Sequence, residues 1–355
     1  MNIIRKIEKS GLIGRGGACF PVHLKWRSVK EAPASEKYIV CNAAEGEPDV
    51  KKDEYILEEH PERVIEGMRL ARRFLEFQEP GVQVKSFIYI NYYYFRRFKE
   101  DLDEFIMEND NINFIIKPDE SGYIGGEEST ILNIIEGKKA EPSLKPPFPT
   151  TKGLWGGPTL VNNVETFYEI SLVNREEYDK KRFYTLGGKL RHKGVYHMPC
   201  QWTMEKILRE SNNYPGFSFF VQVGGGASGQ IWRHDQLKRK AGGAGSITVY
   251  SMKGHSPEDM IKNWIIFYIN ESCGQCTPCR EGVYRIIRTI SQKKINWHLL
   301  KDLMDNLREA SFCGLGCSVP VPISSYIKNV LLRDSEGEIN ISEQEKVRIK
   351  ECFNK

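Results

Sequence analysis

Cys273, Cys276 and Cys279 form a CxxCxxC triplet in ESCGQCTPCREG, and Cys313 follows in SFCGLG. Three thiolates at this spacing can each bind a different iron of one 4Fe-4S cubane, because short loops let the backbone wrap a cluster. The fourth iron then needs a ligand from elsewhere in the fold. Gly274 relieves crowding where the chain turns, and Pro278 can start a helix whose N–H groups favour a negatively charged cluster. The same four cysteines could hold a tetrahedral zinc, although zinc sites are usually built from CxxC pairs rather than a tight triplet. Cys317, in CGLGC, reads either as a neighbour of the cluster or as a buried thiol packing like a small hydrophobe. Cys19, Cys41, Cys200 and Cys352 have no metal-like spacing. Nine cysteines, an odd number with local clustering, argue against a disulfide framework and for thiolates kept as metal ligands.

A second group of segments has the residue types that receive phosphates and flat rings. Gly11-Leu-Ile-Gly14-Arg15-Gly16-Gly17 is dense in glycine, which lets backbone approach a ligand without a Cβ in the way, and Arg15 and Lys25 could neutralise a phosphate. The plain alternative is a flexible loop. Gly122-Tyr-Ile-Gly125-Gly126-Glu127-Glu128 opens a helix, where an anion or ring can bind; the two glutamates equally suit the positive end of a helix dipole. Asn42, Glu45 and Glu47 follow an apolar run, as ligand-binding residues do beyond the carboxyl ends of strands in open α/β sheets, or as an acidic surface loop would. Asn162, Asn163 and Thr166 could cap a helix or hydrogen-bond a cofactor.

The elements that must position these groups change character along the chain. Lys37–Val40, Val84–Asn91 and Ile112–Lys117 read as buried strands, and Pro61–Phe77 and Tyr93–Met107 as helices between them. That alternation predicts a parallel sheet covered on both faces. Thr150–Asn163, rich in Gly, Pro and Asn, reads as an extended loop. From Phe183 to about Tyr250, short glycine-separated strands with one helix near Met204–Arg209 suggest a small β-grasp domain. After Ser256 the pattern is helical, near 257–270, 278–292, 296–309 and 341–353, with the cysteines at helix ends and joints.

Length and composition set the outer bounds. A chain of 355 residues favours two or three domains, and 40% hydrophobic with 28% charged residues is ordinary for a globular protein. The formal charge of +4, from 51 basic against 47 acidic residues, comes with no basic block interleaved with aromatics, so nucleic acid is not an expected partner. No apolar stretch reaches the length of a spanning helix or a signal peptide core, so a cytoplasmic protein is expected, peripheral to a membrane at most through partners.

Taken in order, GLIGRGGACFPVHLKW, CNAAEGEPD, GYIGGEES, EPSLKPPFP, GPTLVNNVETF, ESCGQCTPCREG and SFCGLG resemble the NADH-binding flavoprotein subunit of respiratory complex I. They resemble equally its relatives, the diaphorase subunits of NAD-linked hydrogenases and formate dehydrogenases. The resemblance implies an α/β protein in three parts: a Rossmann-like FMN and NADH domain over 1–178, a β-grasp (ubiquitin-like) domain over 179–255, and a helical bundle with one 4Fe-4S cluster over 256–355. It implies that Gly14, Arg15, Gly16, Gly17, Lys25, Asn42, Glu45, Gly126, Asn162, Asn163 and Thr166 surround FMN. Phe20, Glu47, Glu127, Glu128, Lys145 and Phe148 would face NADH, with Glu47 the candidate catalytic residue. Cys273, Cys276, Cys279 and Cys313 match the family's cluster ligands. The chemistry implied is hydride transfer from NADH to FMN, followed by single electrons to the cluster. The partners implied are a thioredoxin-like 2Fe-2S subunit and a larger iron–sulfur or catalytic subunit.

The chain also departs from the family pattern. Cys19 and His23 replace two glycines, Ala44 and Gly46 stand in a stretch that usually reads CNxDESEP, and Ser28 replaces an aromatic residue. Neither an appended ferredoxin-like C-terminus nor an N-terminal thioredoxin-like domain is expected. The departures motivate an alternative function, a relay subunit that keeps the cluster but has lost NADH or FMN binding.

Overall fold

The computed structural model describes residues 3–254, 256–333, 339 and 341–353. It divides into two compact units, Met1–Gly46 with Lys51–Phe183, and Glu47–Val50 with Tyr184–Lys355. The expected domain limits at residues 1, 255 and 355 lie outside the described residues.

The first unit opens with helices α1 (Ile3–Ser10) and α2 (Val22–Glu31), then strand β1 (Glu36–Ala43). Helices α3 (Lys52–Glu59) and α4 (Pro61–Glu76) lead to β2 (Gln83–Asn91), and α5 (Tyr92–Phe105) leads to β3 (Ile112–Lys117). Helix α6 (Glu128–Ile135), strand β4 (Thr159–Asn163) and helix α7 (Val164–Arg175) complete it. The sheet runs β3-β2-β1-β4 with every pairing parallel. A parallel sheet buries both faces, which is why YIVC of β1 and FIYI of β2 are continuous apolar runs. Helix α4 starts on Pro61 and buries Val64, Ile65, Met68, Ala71, Phe74 and Leu75, one face at helical spacing. Helix α7 is buried from Val164 to Val173, and its buried Glu165 and Glu169 are paired with Lys52 and Arg15.

One expectation is corrected here. The end of Thr150–Asn163 is a strand rather than loop: β4 pairs with β1 in register Tyr38↔Thr159 to Asn42↔Asn163. Five residues with two asparagines have weak strand propensity, and the edge of β1 supplies what the local sequence lacks.

Strand β5 (Lys181–Gly188) runs past the end of the first unit at Phe183 and, with β6 (Gly194–Pro199), β7 (Phe219–Val223), β8 (Gln230–Arg233) and β9 (Ser246–Ser251), forms a five-stranded mixed sheet; helix α8 (Met204–Glu210) lies between β6 and β7 in the chain. The strand order is β6-β5-β9-β7-β8, with β5 and β9 parallel and β7 antiparallel to both β8 and β9. Met204, Ile207 and Leu208 of α8 pack into a core with Tyr184, Leu186, Val221, Ile247 and Val249.

Helices α9 (Pro257–Glu271), α10 (Thr277–Ile290), α11 (Trp297–Ala310), α12 (Gly314–Ser318), α13 (Pro320–Asn329) and α14 (Glu343–Phe353) follow. Strand β8 and helix α13 had no counterpart among the sequence expectations. Edge strand β8 has its Ile231 backbone taken up by α13, where Ser325 Oγ accepts from Ile231 N (2.8 Å) and Asn329 Nδ2 donates to Ile231 O (2.7 Å). Side chains thus satisfy an edge that a further strand would otherwise seek. Among the described residues no helix is long and apolar enough to cross a membrane.

Candidate functional site

The chain leaves β1 toward β2 on one side of the sheet and returns to place β4 on the other. The strand order therefore reverses between β1 and β4, and in open α/β sheets ligands bind in the crevice outside the strand carboxyl ends at such a reversal. Asn42 and Asn163 are register partners at those two ends. Asn42 Nδ2 donates to Gly126 O (3.0 Å) and its Oδ1 accepts from Ala44 N (3.1 Å), tying the loop before α6 to the end of β1. Asn163 Oδ1 caps α7 by accepting from Glu165 N (3.1 Å), so the N-terminus of that helix opens at the crevice. Asn162, with its amide turned to suit its neighbours, donates to Val161 O (3.1 Å) and accepts from Trp26 Nε1 (3.0 Å).

Glycines border the crevice where backbone approaches closely. A Cβ on Gly16 would stand 3.4 Å from Cβ of Asn163, and one on Gly126 would stand 3.3 Å from Ala44 O. Cys19 adopts φ of 54°, in the left-handed region that glycine occupies without strain, and its thiol reaches Gly17 O at 3.5 Å. A Cβ on Gly46 would meet the Tyr123 ring at 3.6 Å. Tyr123 therefore lies over the loop that leaves β1, a residue the sequence reading passed over because an aromatic between glycines carries no distinctive spacing.

The charged residues are spoken for in an informative way. Arg15 is only 3% exposed, and its guanidinium donates to Glu169 Oε2 (2.7 Å) and to the Tyr178 hydroxyl (3.1 Å). Its backbone N donates to Thr166 Oγ1 (3.0 Å). Arg15 and Thr166 thus pin the glycine loop onto α7. Lys25 Nζ donates to Glu128 Oε1 (2.6 Å) and Val161 O (2.9 Å).

Beneath Asn163 lies a buried network in which Lys52 donates to Asp53 (2.6 Å) and Asn163 (2.9 Å) and stands 3.3 Å from Glu165. Burial pulls the Lys52 ammonium toward neutrality, but Asp53, Glu165 and Glu45 outweigh it and hold it charged. Glu45 accepts from Asp53 N (3.2 Å) and the Tyr94 hydroxyl (3.0 Å); burial, with Asp53 adding to it, pushes its carboxyl up to about 8.

Glu127, Glu128, Lys25 and Lys145 form one ionic group. Glu127 Oε2 caps α6 by accepting from Ser129 N and Thr130 N (both 2.9 Å), while its Oε1 accepts from Lys145 Nζ (3.0 Å). Those partners outweigh burial and hold the Glu127 carboxyl below its ordinary range. Phe20 and Phe148, at 51% and 55% exposed, present open ring faces.

Glu47 belongs to the second unit. Its Oε1 accepts from Ala227 N (3.1 Å), Ser228 N (3.2 Å) and Ser228 Oγ (3.2 Å). A Cβ on Gly225 would sit 2.1 Å from that oxygen, so the GGGASG turn needs glycine there to hold the carboxylate. This turn, missed in the sequence, is legible only as a run of glycines until Glu47 is seen in it.

The four cysteines of the CxxCxxC and SFCGLG segments gather at helix starts, Cys276 at the N-cap of α10 and Cys313 at that of α12. Cys276 and Cys279 are buried, Cys273 and Cys313 half-buried. A Cβ on Gly316 of α12 would stand 3.3 Å from Cβ of Cys279, so the Cys313 segment packs directly on the triplet. Burial, opposed by the Ser272 hydroxyl and reinforced by the Cys276, Cys313 and Cys273 sulfurs, pushes the Cys279 thiol up to about 11. Among the described residues no three His, Cys, Asp or Glu side chains converge on a point that one ion could occupy. Each thiolate of a cubane binds its own iron, so four sulfurs gathered from the triplet and the Cys313 segment are a donor set that suits a cluster. Cys317 lies beside the group and donates to Ser311 O at 3.6 Å.

Residues 7–172 match the model of the Nuo51 FMN-binding domain, and residues 259–330 that of the NADH-ubiquinone oxidoreductase-F iron–sulfur binding region. An NADH-quinone oxidoreductase subunit of Streptomyces coelicolor is 31% identical over 92% of this chain and 81% of its own length. The corresponding protein of Aquifex aeolicus is 31% identical over 88% and 80%. A crystal structure of an NAD+-reducing [NiFe]-hydrogenase in the H2-reduced state superposes with a TM-score of 0.84 at 27% identity, covering 96% of this chain and 63% of the hydrogenase chain. The chain therefore belongs to the family of NADH-oxidising flavoprotein subunits of NADH-quinone oxidoreductases and NAD-reducing hydrogenases, which carry an FMN-binding domain and a 4Fe-4S region.

Proposed function

We propose that this chain binds FMN in the crevice at the carboxyl ends of β1 and β4, oxidises NADH there, and passes electrons to a 4Fe-4S cluster on Cys273, Cys276, Cys279 and Cys313. The observation that carries the reading is the reversal point itself, where Asn42 and Asn163 stand side by side. When bound, FMN accepts a hydride and gives up electrons singly, and the cluster receives them one at a time.

Every other contribution comes from the chain. Gly14, Gly16, Gly17 and Gly126 would let backbone approach the flavin closely, and Asn42, Asn162 and Asn163 would hold the surrounding loops and strand ends in place around it. Arg15 and Thr166 hold the glycine loop in place, Lys25 would offer positive charge, and Glu45 would be among the residues that line the flavin site. Phe20 and Phe148 offer faces for a nucleotide base, and Glu127, Glu128 and Lys145 polar contacts for its ribose. Glu47, two residues beyond Glu45, is assigned to the nicotinamide side. Iron binding to the four thiols releases their protons, so cluster assembly and local folding are coupled.

The second unit is read as a β-grasp domain followed by a helical cluster-binding domain; α8 packed on the mixed sheet supports the first part. A thioredoxin-like 2Fe-2S subunit and a larger iron–sulfur or catalytic subunit are the proposed partners, in the cytoplasm.

Anaerobic titration of the iron-reconstituted protein with NADH tests the reading. Flavin absorbance should bleach at about one NADH per FMN. A flavin that dithionite reduces and NADH does not would replace this reading with that of a relay subunit.

A further inference from the structure

Cys279 has a hydroxyl neighbour that the ligand set does not require. Ser272 closes α9, and its Oγ lies 3.3 Å from Cys279 Sγ. The same oxygen accepts from Gly274 N at 3.3 Å. That acceptance uses one of the oxygen's two lone pairs and leaves its own proton to be given elsewhere. Between a hydroxyl and a neutral thiol either atom could donate. Once Cys279 is a metal-bound thiolate it has no proton, and only Ser272 can donate. A second hydroxyl faces the same region: Ser311 Oγ is buried without a partner among the described residues, and Gly316 is the space between it and Cys279. A Cβ on Gly316 would stand 2.4 Å from Ser311 Oγ and 3.3 Å from Cys279 Cβ.

We infer that Ser272 is a positioning residue that donates an O–H···S hydrogen bond to the Cys279 thiolate and so raises the reduction potential of the 4Fe-4S cluster. The inference rests on the assignment of Cys279 as a ligand. The physical reason is charge. Reduction adds an electron to the cluster and its sulfurs, and a donor aimed at sulfur stabilises the reduced form more than the oxidised one. Hydrogen bonds to the sulfurs are among the recognised determinants of cluster potential. Arg280 braces the same loop from outside, donating to Gly274 O at 2.8 Å, so removal of the Ser272 hydroxyl leaves the loop another hold.

The test is an EPR-monitored redox titration of the full-length, FMN-loaded and iron-reconstituted protein as wild type, Ser272→Ala and Ser272→Thr. Spin quantification establishes cluster content before any potential is compared. In S272A the cluster should be present in wild-type amount, and the reduced-to-oxidised ratio at a fixed potential should fall about tenfold, a downward shift of about 59 mV for a one-electron couple. S272T, which keeps the hydroxyl, should stay near wild type. A full cluster in S272A at the wild-type potential would overturn the inference while leaving the ligand assignment intact. Loss of the cluster in S272A with retention in S272T would reduce Ser272 to a brace for Gly274 and also overturn it. Absence of a 4Fe-4S signal from wild type would remove the ligand assignment and this inference together.

Discussion

Glu45, early in the loop after β1, carries a carboxyl that accepts from Asp53 N and the Tyr94 hydroxyl. Burial, with the Asp53 carboxylate adding to it, lifts that carboxyl from an ordinary 4.5 to about 8. The folded state therefore keeps a proton that the unfolded chain releases above about pH 4.5. Where the folded state binds more protons, stability falls as pH rises, so this group's contribution is intact below the unfolded value and is lost as pH climbs through the folded one. Glu45→Gln, which mimics the protonated form, should match wild type in thermal midpoint near pH 5 and exceed it near pH 9, about one unit above the folded value. Parallel pH profiles would mean that Glu45 ionises as in the unfolded chain. The same proton affinity would place an uncharged group under the proposed flavin at neutral pH, in a stretch where Ala44 already lacks a carboxylate.

At the scale of elements, helix crossings in the two units differ in how tightly glycine is required. A Cβ on Gly67 of α4 would lie 2.1 Å from Phe167 O of α7, a backbone atom that cannot rotate away. On Gly282 of α10 it would lie 3.3 Å from the Leu307 side chain of α11, which can. Gly67→Ala should therefore cost more than about 3 kcal/mol, above the ordinary range for overpacking, and Gly282→Ala at most about 1 kcal/mol. Urea denaturation of both variants measures this, and equal costs would contradict the argument. The consequence reaches the site, since α7 begins at Asn163 and carries Thr166 and Glu169, the residues that fix the Gly14–Gly17 loop.

On the scale of the whole molecule, each proposed cofactor site draws its principal ligands from one of two compact units. A bound group stabilises the unit that holds it by mass action. Scanning calorimetry should resolve two transitions. Free FMN at about 100 times its dissociation constant should raise one of them by the equivalent of about 2.7 kcal/mol. Cys276→Ala, which removes a buried proposed ligand at the N-cap of α10, should lower the other and leave FMN content unchanged. A single transition moved by both treatments would mean that the units unfold as one.

What the sequence determined by itself was the local part of this protein. The CxxCxxC spacing sets how far apart three thiols can stand whatever the rest of the fold does. Buried strands such as Lys37–Val40 and Val84–Asn91 were legible because a parallel sheet demands unbroken apolar runs, and the helix starting at Pro61 because its core face repeats at helical spacing. The ordered motifs carried the family as well, and the comparisons bear that out. Tertiary structure alone decided the rest, because those features are pairings between distant segments. Thr159–Asn163 is a strand only because β1 offers it an edge, and Gln230–Arg233 is secured by Ser325 and Asn329 of a helix that begins in two prolines. Arg15 reads from sequence as a charge for phosphate, yet a buried Glu169, distant along the chain, takes its guanidinium. The Gly225 turn looks like a flexible linker until the Glu47 carboxylate fills the space its missing Cβ leaves. Composition and spacing record what a segment can do, and only packing shows which partner it has already taken.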